Sequence, residues 1–313
     1  SMGTRARAPQ DLLVPHKRWG DNSWMCWMWC LSLLGAALLG KAMLALGPHS
    51  GQGVPPMYGD FEAQRHWMEV TVHVPLGDWY RNTTDNDLQY WGLDYPPLSA
   101  YASWLCGKIV QWWGFPEVVA LHESRGYELW PGKAFMRLSV LLCDLVLFLL
   151  PLHLLLWSFR TTAADVRIPW VLSLLILCAP PLALIDHGHF QYNCVSLGLT
   201  VLALWCARHG RWCLTAISFT LALNYKTMSL YHAPAFFFFL LGVCWQAGSK
   251  SSTKGIIIRC VSPLGSPPLI VLLRLLLFPE ITCSRMAVVC CHVPAFLRDW
   301  GTFSREVTVP PSP

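Results

Sequence analysis

The chain has 313 residues, of which 54% are hydrophobic and only 13% charged, with 17 Trp and 23 Pro and a mean hydropathy of +0.40. Soluble globules carry about a quarter charged residues, so this composition excludes an ordinary pair of soluble domains. The formal net charge of +5 is scattered over short connectors instead of forming a stripe, which fits membrane topology and gives no reason to expect a nucleic-acid partner.

A bilayer core of about 30 Å needs roughly 20 apolar residues per helix. The first such run covers residues 24–46, behind Arg5, Arg7, Lys17 and Arg18; its length predicts an uncleaved signal anchor with a cytosolic N-terminus, residues 1–23. Residues 47–133 hold ten of the eighteen acids and five bases, and so form one large acidic loop. Within it residues 98–113 are apolar and aromatic but short of a span, which predicts an amphipathic or re-entrant segment at the membrane interface. Asn82-Thr83-Thr84 is an N-glycosylation sequon and fits a non-cytosolic loop.

Further apolar cores cover about residues 134–157, 168–185, 194–206, 212–223 and 231–245. Alternate connectors carry the bases Arg160 and Arg167, Arg208 and Arg211, then Lys250, Lys254 and Arg259. The positive-inside rule then puts the acidic loop and the polar turns 186–193 and 224–229 on the other side. Residues 134–253 are expected to be a helical bundle. Residues 254–313 read as an atypical tail, because Pro263, Pro267, Pro268 and Arg274 interrupt the apolar run of a broken seventh span. The expected fold is an all-α polytopic membrane protein of six to seven transmembrane helices.

Most of the thirteen cysteines lie in apolar runs, where a thiol behaves as a small hydrophobe. No CxxC or Cys/His metal spacing appears, and the adjacent pair Cys290-Cys291 is poorly disposed to bridge itself. Neither a disulfide nor a metal is assigned.

Three polar constellations can carry chemistry. In residues 58–67, Asp60 and Glu62 precede Arg65 and His66; a carboxylate with a charged neighbour suits a general base, although Asp60 as a helix N-cap beside a belt Trp67 is the plainer reading. In residues 88–98, Trp91, Asp94 and Tyr95 could stack on a sugar and accept from its hydroxyls, or simply form a rigid turn ahead of Pro96-Pro97. In residues 186–193, His187, His189, Gln191 and Asn193 fit a lipid phosphate better than zinc, for which no third ligand is placed. Lys226 shares their side, either as a phosphate partner or as a snorkelling lysine. Asp144, inside a span, reads as a helix-helix partner.

Residues 59–69, 88–98, 122–128, 189–193 and 224–226 together resemble the dolichyl-phosphate-glucose glucosyltransferases of the endoplasmic reticulum, over about residues 50–245. Within that family they are most similar to the branch that adds the first glucose to the nine-mannose lipid-linked oligosaccharide. The resemblance implies a GT-C architecture and inverting transfer of glucose from dolichyl phosphate glucose, in alpha-1,3 linkage, onto a terminal mannose of that oligosaccharide. It implies no metal or other cofactor, and a multi-pass protein of the endoplasmic reticulum membrane with residues 47–133 luminal. Carried over by motif, the catalytic carboxylate falls on Asp60. His189, Gln191, Lys226 and Arg65 are then the donor phosphate partners, with Glu62, Trp91, Asp94 and Tyr95 around the sugar. Residues from about 254 onward are expected to depart from the family, as in an alternatively spliced or frame-shifted form. The rival readings are a non-catalytic truncated form, a sister polyprenyl-phosphate-sugar transferase and a transporter.

Overall fold

The computed structural model describes residues 23–159 and 167–249, and every regular element among them is helical. The helix α1, Ser23–Leu46, is the first apolar run. A loop leads to α2, Gly59–His73, with Asp60 and Glu62 in its first turn, where unpaired N–H groups favour negative charge. The N-cap is Tyr58, at φ 54°, so Asp60 lies inside the helix and is not its cap. The next helix, α3, Pro97–Trp112, begins on proline because the ring presets the first helical φ and removes a donor that would be unpaired anyway. It is the segment expected at the interface. It lies against α2 so closely that a Cβ on Gly107 would stand 2.5 Å from Val72 Cγ2.

Pro151 shapes α4, Trp130–Trp157. It has no N–H for the Leu147 carbonyl four residues back, and its ring crowds that oxygen. The chain answers by winding Asp144–Leu149 as a π-helix. The helices α5, Arg167–Leu177, and α6, Pro180–Phe190, meet at a bend of 47° where Pro180-Pro181 interrupts the hydrogen-bond ladder. Then follow α7, Asn193–Arg208, α8, Trp212–Tyr225, a 3-10 turn at Thr227–His232 and α9, Ala233–Ser249. The freed Leu147 carbonyl meets α7 at Gly198, where a Cβ would lie 1.7 Å from the oxygen. Only glycine fits there.

One helix, α4, is long and apolar enough to cross a membrane, and the bent pair α5 with α6 qualifies if it is one span. The apolar helices Asn193–Arg208, Trp212–Tyr225 and Thr227–Val243 are shorter, because polar turns such as 186–193 and 224–226 cut the apolar runs. Of the six to seven spans read from the sequence, one or two helices among the described residues thus pass on length and composition. The seventh span, the Cys290-Cys291 pair and most of the basic residues assigned to two connectors lie outside the described residues.

Four apolar clusters hold the described chain together, and two of them position the site. One joins α1, α4, α5 and α7 through Ala37, Phe148, Leu152, Leu174, Leu177 and Cys194. The other seats α2 and α3 on α4 and α6 through Phe61, Met68, Val110, Phe135, Met136 and Phe190. Each large apolar side chain so buried contributes about 1.5–3 kcal/mol before entropy. This second core brings the acidic segment onto the ends of the helices.

Gly198→Ala should destabilise the chain by about 1–3 kcal/mol or more, because the added methyl must displace the α4 backbone. Thermal melting of the purified chain in detergent should show a clearly lowered midpoint. Gly242→Ala, where a Cβ would meet nothing within 4 Å, should leave the midpoint unchanged or slightly raised.

Candidate active site

The start of α2 and the end of α6 meet at Asp60. Tyr58 and Gly59 are both left-handed, at φ 54° and 70°, which turns the chain sharply into the helix. A Cβ on Gly59 would lie 2.4 Å from Ser50 O, while Ser50 N–H donates to the His189 carbonyl at 3.3 Å. The loop ahead of α2 is thus held between the helix start and the His189 turn. Phe190, at φ 89° and fully buried, packs on Phe61 with ring centroids 4.8 Å apart and anchors that turn.

His189 Nε2 lies 2.8 Å from Asp60 Oδ2, and Gln191 Nε2 donates to the same oxygen at 2.9 Å. The Asp60 and His189 side chains are 34% and 47% exposed, so a solvent-borne or bound molecule can reach them. Asp60 Oδ1 has no hydrogen bond among the described residues. Behind Gln191 sits Lys226, whose Nζ donates to Gln191 Oε1 at 2.8 Å and Asn193 Oδ1 at 2.7 Å. Asn193 Nδ2 in turn donates to Asp186 Oδ1 at 2.8 Å, and Asp186 Oδ2 accepts from Cys194 N–H at 2.8 Å. One chain of hydrogen bonds therefore runs Asp60, Gln191, Lys226, Asn193, Asp186. Burial lowers the Lys226 pKa, and the charges of Asp186, Asp60 and Asp94 only partly restore it.

Lys226 also stands 4.8 Å from the centroid of Tyr95. Asp94 is exposed beside it, and partial burial raises its carboxyl against the pull of Lys226. Trp91, at φ 50°, spends its indole N–H on the Met57 carbonyl at 2.5 Å, while its own carbonyl accepts from Trp67 Nε1 at 2.9 Å. It braces the 88–98 turn against the loop before α2. Asn82 is exposed, with Oδ1 accepting from Leu88 N–H at 3.2 Å and its amide nitrogen outward-available among the described residues. From Lys226 and Tyr95 a cavity of about 170 Å³ leads between α3, α4 and α7, past Ala102, Cys106, Leu147 and Val195. Its walls are mainly apolar.

Arg65 and Glu62 have a different setting from the one expected. Arg65 is fully buried and spends all five N–H groups inside the fold. Nε and Nη2 bind Glu62 at 2.7 and 2.6 Å, Nη2 also binds Glu69 at 2.7 Å, and Nη1 binds Ser124 Oγ and the Val118 carbonyl at 2.5 and 3.1 Å. It has no N–H left for a phosphate. Glu62, 2% exposed, takes both bonds from Arg65 and one from Tyr90 OH at 2.8 Å, so it faces the network and not a sugar. Burial alone would raise the Glu69 carboxyl, but the hydrogen bond from His66 and the charge of Arg65 outweigh it and hold the group at about 2. This network fixes α2 from beneath and so fixes Asp60.

A second buried cluster fixes the opposite side. Lys41 of α1 binds Asp144 Oδ2 of α4 at 2.5 Å, and His187 of α6 shares that oxygen. Asp144 is therefore a partner between helices, as its position in an apolar run suggests. Asp144, Asp186 and Cys194 have ligand atoms within 4.8 Å of one another. Their carboxylates are already occupied by Lys41, His187, Asn193 and the Cys194 N–H, which is poor chemistry for a cation site. Of the sequence-selected residues, Asp60, His189, Gln191 and Lys226 come together, with Tyr95 and Asp94 at their edge. Asn193 and Asp186 belong to the same cluster; their place in a polar turn was the available signal, but their spacing alone did not set them apart from His187.

The ALG6, ALG8 glycosyltransferase family matches residues 32–296. This chain is 47% identical over 222 residues to the dolichyl pyrophosphate Man9GlcNAc2 alpha-1,3-glucosyltransferase of Gallus gallus, covering 71% of the chain and 43% of that protein. Against the protein of the same name in Mus musculus it is 41% identical over 306 residues, covering 92% of the chain and 59% of the relative. Against the Rattus norvegicus protein of that name it is 46% identical over 242 residues, covering 76% and 46%. The chain thus spans about half the length of the curated relatives it matches. The family match reaches residue 296, which corrects the expectation that resemblance ends near residue 254.

Because its carboxyl is held well below its ordinary 4.5, Glu69 stabilises the folded chain fully above about pH 4.5, and this contribution fades as pH falls toward 2. A shift of this size corresponds to about 3 kcal/mol. In thermal melts from pH 6 to 2.5, the gap in midpoint between the parent chain and Glu69→Gln should shrink as the pH falls. A constant gap would show that Glu69 acts by packing instead of charge.

Proposed function

The chain belongs to the ALG6, ALG8 glycosyltransferase family, and from that premise we propose that its Asp60 site transfers glucose from dolichyl phosphate glucose to a terminal mannose of a lipid-linked oligosaccharide, in alpha-1,3 linkage. The observation that carries this reading is a partly exposed carboxylate, Asp60, hydrogen-bonded on one oxygen to His189 and Gln191, with a half-buried lysine one residue further along the chain of bonds. Relatives at 41–47% identity bear the name of that activity.

In the proposed reaction the mannose hydroxyl sits at Asp60 Oδ1 and attacks the anomeric carbon of glucose. The new carbon-oxygen bond forms as the bond to the dolichyl phosphate oxygen breaks on the opposite face, and the hydroxyl proton passes to Asp60. His189, Gln191 and Lys226 meet the negative charge that grows on the departing phosphate. Lys226 suits this role because its own partners are neutral amide oxygens, which leave its charge uncompensated by a direct ion pair. Tyr95 and Asp94 border the sugar, and the apolar cavity beyond Lys226 receives the first isoprene units of the donor. The reading places the protein in the endoplasmic reticulum membrane as a multi-pass helical protein of GT-C architecture, with residues 47–133 on the luminal side and the N-terminus cytosolic. The exposed sequon at Asn82 agrees with that side.

Rescue tests the proposal. Residues 1–313, the Asp60→Asn variant and a relative of full length are expressed in cells lacking the first-glucose transferase, and the lipid-linked oligosaccharide is read for added glucose. Added glucose is expected with the chain and should fall on the order of 10²–10⁴-fold in Asp60→Asn. Undiminished transfer by Asp60→Asn would remove the base assignment.

A further inference from the structure

A second cavity, of about 270 Å³, opens between α1 and the first turns of α4. Ala42, Ala45 and Leu46 of α1 and Leu141 of α4 give it an apolar wall, and Lys133 and Arg137 line its head. These two cations are four residues apart on one helix, an arrangement in which like charges repel. Neither has a carboxylate within ion-pair distance among the described residues. Lys133 Nζ donates to the Gly47 carbonyl at 3.1 Å and Gln52 Oε1 at 3.4 Å. Arg137, 7% exposed, donates to the carbonyls of His187 and Gly188, and its buried Nε has no partner. Glu128, whose charge acts on Lys133, is engaged by Gly53 N–H at 2.8 Å and stands 3.9 Å from His49. Lys41 and His187 also line the inner end, but Asp144 already satisfies both.

A buried guanidinium without a counter-ion is expensive, and a second cation one turn away adds to the cost. The arrangement becomes favourable when an anion with several acceptor oxygens lies between the two, since charge-assisted bonds to phosphate are strong and a guanidinium presents paired donors to it. The apolar wall below the charges, and Trp130 at the start of α4, 64% exposed, match the depth profile of a lipid whose head meets water and whose chain does not.

We propose that this cavity binds the phosphate head of a membrane lipid, with Lys133 and Arg137 on the phosphate and the chain running down the groove between α1 and α4. The site meets the turn at the His187 and Gly188 carbonyls, whereas Lys226 meets Gln191 and Asn193, and its occupancy does not depend on the transfer assigned to Asp60. The phosphate can come from a polyprenyl carrier or from a phospholipid; both present the same chemistry.

The test uses the full chain purified in detergent and three probes: farnesyl diphosphate, dioctanoyl phosphatidic acid and inorganic phosphate. Dissociation constants are measured for the parent chain and for Lys133→Gln, Arg137→Lys, Ala42→Phe and Lys226→Gln. At least one lipid probe should bind more tightly than inorganic phosphate and lose about tenfold in affinity in Lys133→Gln. Ala42→Phe fills the apolar wall and keeps both charges; it should weaken lipid binding and spare inorganic phosphate. Arg137→Lys keeps the charge and reads the paired donors without unfolding the turn at His187. Lys226→Gln removes the ammonium of the donor site, so any farnesyl diphosphate affinity lost there belongs to that site, and phosphatidic acid affinity should stay within about twofold of the parent. Preference for farnesyl diphosphate assigns a polyprenyl carrier, and preference for phosphatidic acid assigns a phospholipid. Unchanged lipid affinity in both Lys133→Gln and Ala42→Phe, or inorganic phosphate binding as tightly as the lipids, would overturn the proposal. Failure here leaves the Asp60 assignment standing, because that one is read by glucose transfer.

Discussion

The candidate site depends on one buried ionic contact, the carboxylate of Asp144 held between Lys41 and His187. It ties α1, α4 and α6 at a single point in an otherwise apolar core. Removing one member of such a cluster leaves an uncompensated buried charge, which costs about 3–5 kcal/mol, so geometry at that point is enforced instead of merely preferred. His187 is two residues from His189 and four from Gln191. Fixing its ring therefore limits where the two partners of Asp60 can go.

The other half of the site is fixed by a different balance. Arg65 draws Glu62 and Glu69 inward from the same helix that carries Asp60, and Ser124, Val118 and the His122 N–H close the network. The guanidinium and both carboxylates there have partners, so the network serves rigidity. Asp60, by contrast, keeps one carboxylate oxygen free among the described residues. The two carboxylates that look equivalent in Gly59-Asp60-Phe61-Glu62 thus differ in role because a helix places residues two apart on different faces.

Much of this was legible in the sequence. Apolar runs bounded by polar turns marked the helices to within a few residues, since burial and helical period depend on local composition. Asp60, His189, Gln191 and Lys226, widely separated in sequence, were selected by residue type and converge in the structure. Arg65 and Glu62 were misplaced although the clue was present: Glu62, Arg65 and Glu69 stand at i, i+3 and i+7, a spacing that puts opposite charges on one face of a helix. The π-helical turn was not legible as such. Pro151 signalled a disturbance, but whether α4 kinks, breaks or widens depends on Gly198, which is distant in sequence and admits the Leu147 carbonyl.

Lys226 settles the polarity of the whole cluster. An ammonium can only donate, so Gln191 and Asn193 must both turn their carbonyl oxygens toward it. Their amide nitrogens then face outward, Gln191 to Asp60 and Asn193 to Asp186. The donor aimed at Asp60 engages Oδ2. In the proposed reaction, charge growing on a departing phosphate pulls on Lys226 and loosens its hold on Gln191. Gln191 bonds both to Asp60, the proton acceptor, and to the ammonium that meets the departing phosphate. Proton acceptance and leaving-group departure are therefore coupled through one amide side chain, and a lysine paired with a carboxylate instead of two amides would not transmit that change.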